Sequence, residues 1–397
     1  MTVLFITSKS LGGSGKYISC LAGGIEDKVD CELLYFPSGA LQDGEIERAF
    51  KAVHHFPSRP SFSPVALYKD VMFVRKVLRR GRYTAVHTHT SFGGLIGRLG
   101  AFFSGTEVKI IHTLHAYGAD EFTPYPQKGL YWLIEKGLDA ITDHYISPSR
   151  YTKDYGTRIK LVNPAKATVI YNALPLQTPL AVIGNRRQHV RASFGAAPND
   201  IVFLFCGRFE KQKGVDILLR SVALIESTAS FKVVLCGTGD LEEALRSLAI
   251  ELGIQDRIVW LGWQQDLGKY YEAANVYVMP SRWETFGLVF LEAMNYSLPV
   301  LSTRTQAVPE VVEDGVSGLL SDNEDAQGLA NNMEKLIRSA ELRRALGKQG
   351  QQRLHEQFSF EKFIHLHLAL YEECMPTAHK VQACSSPALP LDESASL

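Results

Sequence analysis

Short apolar runs alternate along the chain with stretches whose apolar residues recur every three to four positions. A strand buried on both faces reads as a continuous apolar run, and a covering helix shows one apolar stripe, so the alternation predicts βα units in a parallel sheet. Strands are expected at residues 3–7, 31–35, 85–87, 108–112, 144–146 and 168–170, with helices between them, such as 68–80 and 131–142. Around 174–200 the pattern dissolves into Pro, Gly, Gln and Asn, which reads as a linker. A second series follows at 201–206, 231–236, 258–261, 276–279 and 300–302, then a helical segment at 361–374. The expected fold class is therefore α/β, with two doubly wound Rossmann-like domains facing a central cleft. The first spans 1–178 and the second 179–357, and the Ser-, Pro- and Ala-rich tail 376–397 is expected to be disordered. Ligands of open parallel sheets bind beyond the carboxyl ends of the strands, which points to the interdomain cleft.

A length of 397 residues suits two domains rather than one core. The formal net charge is zero, but basic residues are in excess before residue 180 and acidic residues after it, which suggests different partners for the two halves. The six cysteines show no CxxC pair and no metal-ligand spacing with His, so a reducing, cytoplasmic location is expected. The N-terminus has no basic lead-in and reads as a strand rather than a signal peptide. No run approaches the roughly 20 apolar residues that span a bilayer, so the protein is expected to be soluble or peripheral.

Glycines punctuate the strand ends. Gly12-Gly13-Ser14-Gly15 follows the first strand and opens a helix, where backbone can approach an anion closely. It is no GxGxxG match, and a tight βα turn is an equal reading of it. The loop Gly207-Arg208-Phe209-Glu210-Lys211-Gln212-Lys213-Gly214 puts Arg208 and Lys213 at the carboxyl end of the first strand of the second series. Such cations suit a diphosphate leaving group, on which negative charge grows. The next strand ends in Gly237-Thr238-Gly239, a second close-approach turn.

The most informative stretch runs from Pro280 to Met294 and carries Glu284 and Glu292, eight residues apart with Gly287 between them. A helix beginning near Phe286–Gly287 leaves the N–H groups of Phe286, Gly287, Leu288 and Val289 free to hold a phosphate. Glu284 then suits sugar hydroxyls and Glu292 a ribose diol, because an idle Glu on a buried helix is costly. His87, His89, His112 and His115 cluster at two strand ends, but no carboxylate stands in ligand spacing, so no metal is expected. His115 is expected to line the cleft and bond a sugar hydroxyl, with His87 and His112 as satisfied core groups.

Together these residues resemble the retaining glycosyltransferases of family 4, with the GT-B fold, over roughly residues 1–370. The most specific part is Glu284 to Glu292, similar to the family's E-x7-E motif, followed by Leu298-Pro-Val-Leu-Ser-Thr and Val308-Pro-Glu-Val-Val-Glu-Asp-Gly. The stretch from His87 to Ile146 resembles the bacterial polysaccharide-building branch. The resemblance implies that Gly13, Gly15 and Gly237 approach the donor, with Phe286, Gly287 and Leu288 supplying backbone to it. It also implies that His115 contacts the donor sugar, Arg208 and Lys213 bind the diphosphate, Glu284 holds sugar hydroxyls and Glu292 holds the ribose. A last helix at about 358–375 would cross back to brace the first domain. The implied reaction is metal-free, front-face substitution with retention, from a nucleotide-diphosphate sugar, UDP-linked by preference and GDP-mannose second, to a glycan or lipid-linked acceptor. No cofactor and no nucleic acid are implied. The chain departs from the family at Tyr171-Asn172-Ala173, where Asn-Gly is usual, and the acceptor loop 117–127 matches no acceptor pattern.

The basic amphipathic stretch 68–82, with Arg75, Lys76, Arg79 and Arg80, suits an anionic leaflet at the inner face of the cell membrane. An ordinary sheet-covering helix with a charged outer face fits it as well. Two other function classes stand beside the transferase. A nucleotide-sugar epimerase needs a first-domain acid and base that no residue here supplies. A non-catalytic sugar-nucleotide scaffold is disfavoured by the joint presence of Arg208, Lys213, Glu284 and Glu292.

Overall fold

The computed structural model describes residues 1–8, 12–38, 41–117, 124–176 and 186–374. The first-half strands are β1 (Thr2–Thr7), β2 (Asp30–Tyr35), β3 (Ala52–His55), β4 (Ala85–His89), β5 (Lys109–Thr113), β6 (His144–Ser147) and β7 (Ala167–Val169). They form a seven-stranded parallel sheet in the order β3-β2-β1-β4-β5-β6-β7. The second half contributes β8 (Ile201–Cys206), β9 (Phe231–Cys236), β10 (Ile258–Gly262), β11 (Val276–Met279), β12 (Val300–Thr303) and β13 (Gly318–Ser321). These make a six-stranded parallel sheet, β10-β9-β8-β11-β12-β13. The strand order reverses at β1/β4 in one sheet and at β8/β11 in the other. Crevices open beyond such switch points, because the connections leave in opposite directions there.

Apolar burial explains why the strands were legible. Val3, Phe5, Leu33, Ile111 and Ile146 pack on one face of the first sheet, and Leu4, Ile6, Leu34, Val86 and Ile110 on the other. Two strands lack such runs and were not expected. β3 is a half-buried edge strand with two histidines, and β13 is four residues with only its two leucines apolar.

The expected linker at 174–200 is corrected in part. Arg186–Ser193 is a helix belonging to the second domain, and residues 177–185 lie outside the described residues. This helix is polar and carries no apolar stripe. It is anchored by buried Arg191, which donates to the carbonyls of Ala273, Pro198 and Asp200 and to Asn275 Oδ1. The tail from Pro376 also lies outside the described residues. The helix Phe360–Cys374 packs on the first sheet, with Phe363, Leu368, Leu370 and Tyr371 in one cluster with Val3, Phe5 and Leu21. The chain thus returns to its first half after completing the second.

Candidate active site

The loops after β8 and β11 meet at the second switch point. Lys213 ends the first loop, and its ammonium donates to Glu284 Oε2 at 2.6 Å. Both side chains are largely buried, 17% and 10% exposed, so each charge is compensated chiefly by the other. The loops are laced around this pair: Gln212 Nε2 donates to the Trp283 carbonyl, and the Arg282 N–H donates to the Gln212 carbonyl. The Arg282 guanidinium grips the Asp216 carboxylate through two bonds of 2.8 Å and also pairs with Glu324. Arg208 is placed differently from Lys213. Its side chain is 67% exposed and bonds Glu210 Oε1 at 2.7 Å within its own loop. With Gly237, Thr238, Trp263, Gln264 and Val289 it lines a cavity of about 210 Å³. Gly237 packs so closely that an added Cβ would stand 1.9 Å from the Gly207 carbonyl oxygen.

The helix carrying Glu292 runs Leu288–Asn295, starting one to two residues later than expected. Gly287 precedes it at φ +86°, and a Cβ there would lie 2.4 Å from the Phe290 ring. Only glycine enters this turn without strain. The Leu288 and Val289 N–H groups stand in the first helical turn, where no intrahelical carbonyl can reach them. Phe286 is a core residue, its ring packed on Tyr171 and Phe358. Its side chain braces the turn from the core side.

Glu292 accepts from the buried Tyr271 hydroxyl at 2.8 Å and, on its other oxygen, from the Lys16 ammonium. Lys16 belongs to the first domain, in the helix Gly13–Ile25, and sequence reasoning missed it. Only its place after the glycine turn was a signal. A Cβ at Gly13 would lie 3.8 Å from Leu288 Cδ1, so the first-domain turn faces the start of the Glu292 helix. Gly13 is exposed at the helix start and Gly15 is buried in the first turn of the same helix.

The histidines separate by face. His87 and His89 lie on one side of the first sheet, and His112 lies on the other, bonded to Thr88 Oγ1 at 2.8 Å. His87 bonds Tyr371 and Thr113, each at 2.7 Å, and His367 bonds Tyr17 at 2.7 Å. His115 meets His89 at 3.1 Å, and its carbonyl accepts from Thr285 of the second domain at 2.8 Å. Burial holds His115 and His367 down to about 4 and pushes His87, His89 and His112 well below the usual imidazole value, so all five rings are neutral near pH 7. Among the described residues no three His, Cys, Asp or Glu converge to hold a metal ion.

Glu310, quoted in the sequence only as part of Val308-Pro-Glu, bridges the domains. Its carboxylate accepts from the N–H groups of Arg150 (2.8 Å) and Tyr151 (2.6 Å), which open the helix Arg150–Arg158, and from the Tyr171 hydroxyl (3.0 Å). Burial first and this carboxylate second push Tyr171 up to about 12. Nearby, Tyr117, Tyr151, Tyr155, Trp283 and Gln306 line a cavity of about 130 Å³ between the domains. Most of the expected acceptor loop, residues 118–123, lies outside the described residues.

The basic stretch is the end of the helix Pro64–Arg80, which buries Val71, Val74 and Leu78. Arg75 donates to the Phe103 carbonyl at 3.0 Å and Arg79 to the Ser104 carbonyl at 2.8 Å, so two of its four cations fasten the neighbouring helix. Phe62, Val65 and Tyr68 are exposed near its start, and Phe102 and Phe103 beside its basic end. No helix among the described residues is long and apolar enough to cross a membrane.

Comparison with known proteins matches residues 11–178 to the family described as Glycosyltransferase Family 4 and residues 186–353 to Glycosyl transferases group 1. A Klebsiella pneumoniae protein described as an uncharacterized 41.2 kDa protein in cps region is 30% identical over 343 residues, 84% of this chain and 89% of its own length. An Escherichia coli UDP-Gal:alpha-D-GlcNAc-diphosphoundecaprenol alpha-1,3-galactosyltransferase is 25% identical over 316 residues, covering 78% of this chain and 80% of that protein. Among solved structures, Anabaena HepE in complex with UDP and glucose superposes with a TM-score of 0.81 at 19% identity, covering 93% of this chain and 99% of HepE. That likeness shows the GT-B fold.

Proposed function

The chain belongs to the family 4 glycosyltransferases, and from that premise we propose that it moves a hexose or N-acetylhexosamine from a UDP-sugar to a lipid-linked or glycan acceptor in surface polysaccharide synthesis, with retention and without a metal. The observation that carries this reading is the buried Lys213–Glu284 pair, set beside the Gly287–Leu288 turn that faces Gly13. A diphosphate held against Leu288 N–H and Lys213 brings its own negative charge to that cation, which frees Glu284 to accept from sugar hydroxyls. Arg208 joins by leaving Glu210, an exchange that is easy for so exposed a side chain.

In the proposed reaction the acceptor oxygen bonds to the anomeric carbon on the leaving-group face. The bond from that carbon to the phosphate oxygen breaks, its electron pair stays on the diphosphate, and a phosphate oxygen takes the acceptor proton. Lys213, Arg208 and the helix N–H groups stabilise the charge that grows there. His115, kept neutral by burial, offers a hydrogen bond to the sugar rather than a cation.

Support for the donor and acceptor comes from the relatives: HepE was crystallised with UDP and glucose, and the Escherichia coli enzyme by its name uses UDP-Gal and a diphosphoundecaprenol-linked sugar. A lipid-linked acceptor suits the basic end of the Pro64–Arg80 helix and the exposed Phe102 and Phe103 beside it, which would rest on an anionic leaflet. A cytoplasmic site agrees with the five free cysteines among the described residues.

The test is thermal unfolding with UDP, GDP and ADP and their common sugars, with EDTA present. A ligand at 100 times its dissociation constant adds about 2.7 kcal/mol, enough for a clear shift. Stabilisation by UDP and UDP-sugars alone supports the donor and metal-free binding. No shift with any nucleotide overturns the reading.

A further inference from the structure

The Lys16–Glu292 pair joins residues from opposite domains across the cleft. Its two ends differ. Glu292 is 12% exposed and fixed from its own domain by the Tyr271 hydroxyl, whereas the Lys16 side chain is 48% exposed and reaches over from a helix start. That start offers little to a cation. Gly12 provides no side-chain cap, the first turn holds no acidic residue, and the positive end of the helix dipole repels an ammonium. Lys16 is therefore held where it is by Glu292 and by nothing in its own helix.

We propose that Lys16 is a donor-exchange residue: its ammonium, paired with the Glu292 carboxylate across the cleft, is displaced by the ribose diol and transfers to the donor diphosphate. The inference rests on the reading of Glu292 as the ribose-binding carboxylate. The chemistry of the exchange is balanced. Ammonium N–H donors leave a carboxylate, hydroxyl donors replace them, and the released charge meets a new anion between Gly13 and Leu288. Tyr271 stays in place and keeps the carboxylate aimed. Of the two partners only the exposed, long-chained Lys16 gains rotamer freedom on release.

The exchange gives a neutral nucleoside an unusual response to salt. Binding of uridine breaks an ion pair and restores none, so salt, which weakens that pair, should strengthen uridine binding. Binding of UDP returns an anion to Lys16 and should weaken with salt.

Uridine, 2′,3′-dideoxyuridine and UDP are titrated by ligand-observed NMR into wild type, Lys16→Met and Glu292→Gln at low and high ionic strength. Guanosine and adenosine run in parallel, so that a wrong base shows as binding of another nucleoside, with which the comparison is then made. Wild type should bind uridine about two- to fivefold more tightly at high salt, the scale of one partly exposed ion pair. Lys16→Met should show that tighter binding at low salt already, lose the salt response, and narrow the advantage of UDP over uridine. Uridine affinity unchanged by Lys16→Met and by salt, with the preference over dideoxyuridine intact, overturns the exchange alone. Equal binding of uridine and dideoxyuridine to wild type overturns the ribose reading of Glu292 beneath it.

Discussion

Lys213 reaches Glu284 across 71 residues of sequence and donates to it at 2.6 Å, in a place where neither charge has much access to water. A buried pair of this kind contributes little net stability, because desolvation offsets most of the attraction. In the proposed reaction its value lies in poise: an arriving diphosphate would compete for the cation, and a sugar for the carboxylate.

Removing either partner should therefore damage turnover more than folding. Lys213→Ala and Glu284→Ala are each expected to lower kcat/KM by about 10²–10³, the scale of losing one charge-stabilising donor. The double variant should fall well short of the product, because the two act as one unit. Steady-state kinetics with the donor found by thermal shift measure this, and wild-type rates in either single variant would remove both residues from the site.

Acid should loosen the first domain. The five depressed histidines are neutral in the fold and protonate near 6.5 when the chain unfolds, so below that pH the unfolded state binds more protons. Stability is expected to be full above about pH 6.5 and to decline as pH falls toward about 4, where His115 and His367 also protonate in the fold. Each ring contributes a slope of at most about 1.4 kcal/mol per pH unit in that window. Urea unfolding at stepped pH should show the decline, and His367→Gln should flatten it. An identical slope in the variant would contradict the assignment.

Glu310 makes a separate stability prediction. Glu310→Ala takes the acceptor from two helix-opening N–H groups and from Tyr171, and should cost about 1–2 kcal/mol by urea unfolding. Glu310→Gln keeps one acceptor oxygen and should fall between. An alanine variant as stable as wild type would mean that the two domains do not share this contact in solution.

Membrane contact is best tested away from the cations that hold carbonyls. Lys76 and Arg80 are exposed and Arg75 and Arg79 are engaged, so Lys76→Glu with Arg80→Glu reverses the free charge without unfastening Phe103 and Ser104. Wild type should pellet with anionic vesicles at low salt, and the double variant should stay in the supernatant. Wild type remaining in solution would end the proposal.

The sequence by itself determined the two sheets apart from β3 and β13, and the second-domain half of the candidate site. Continuous apolar runs such as 201–206 and 231–236 can be satisfied only between two helical layers, and glycines mark the loops where chain and ligand come close. Arg208, Lys213, Glu284 and Glu292 were legible because they lie in those loops or one turn beyond. Only the tertiary structure decided which of them meet. Lys213 takes Glu284 while Arg208 turns to Glu210, Phe286 goes into the core, and Gly15 is buried. It also brought in Lys16 and Glu310, whose partners lie 276 and about 160 residues away and belong to the other domain. Local patterning records which face of an element is buried. It holds no record of which distant charge will stand opposite, because that is settled when the two sheets close on one cleft.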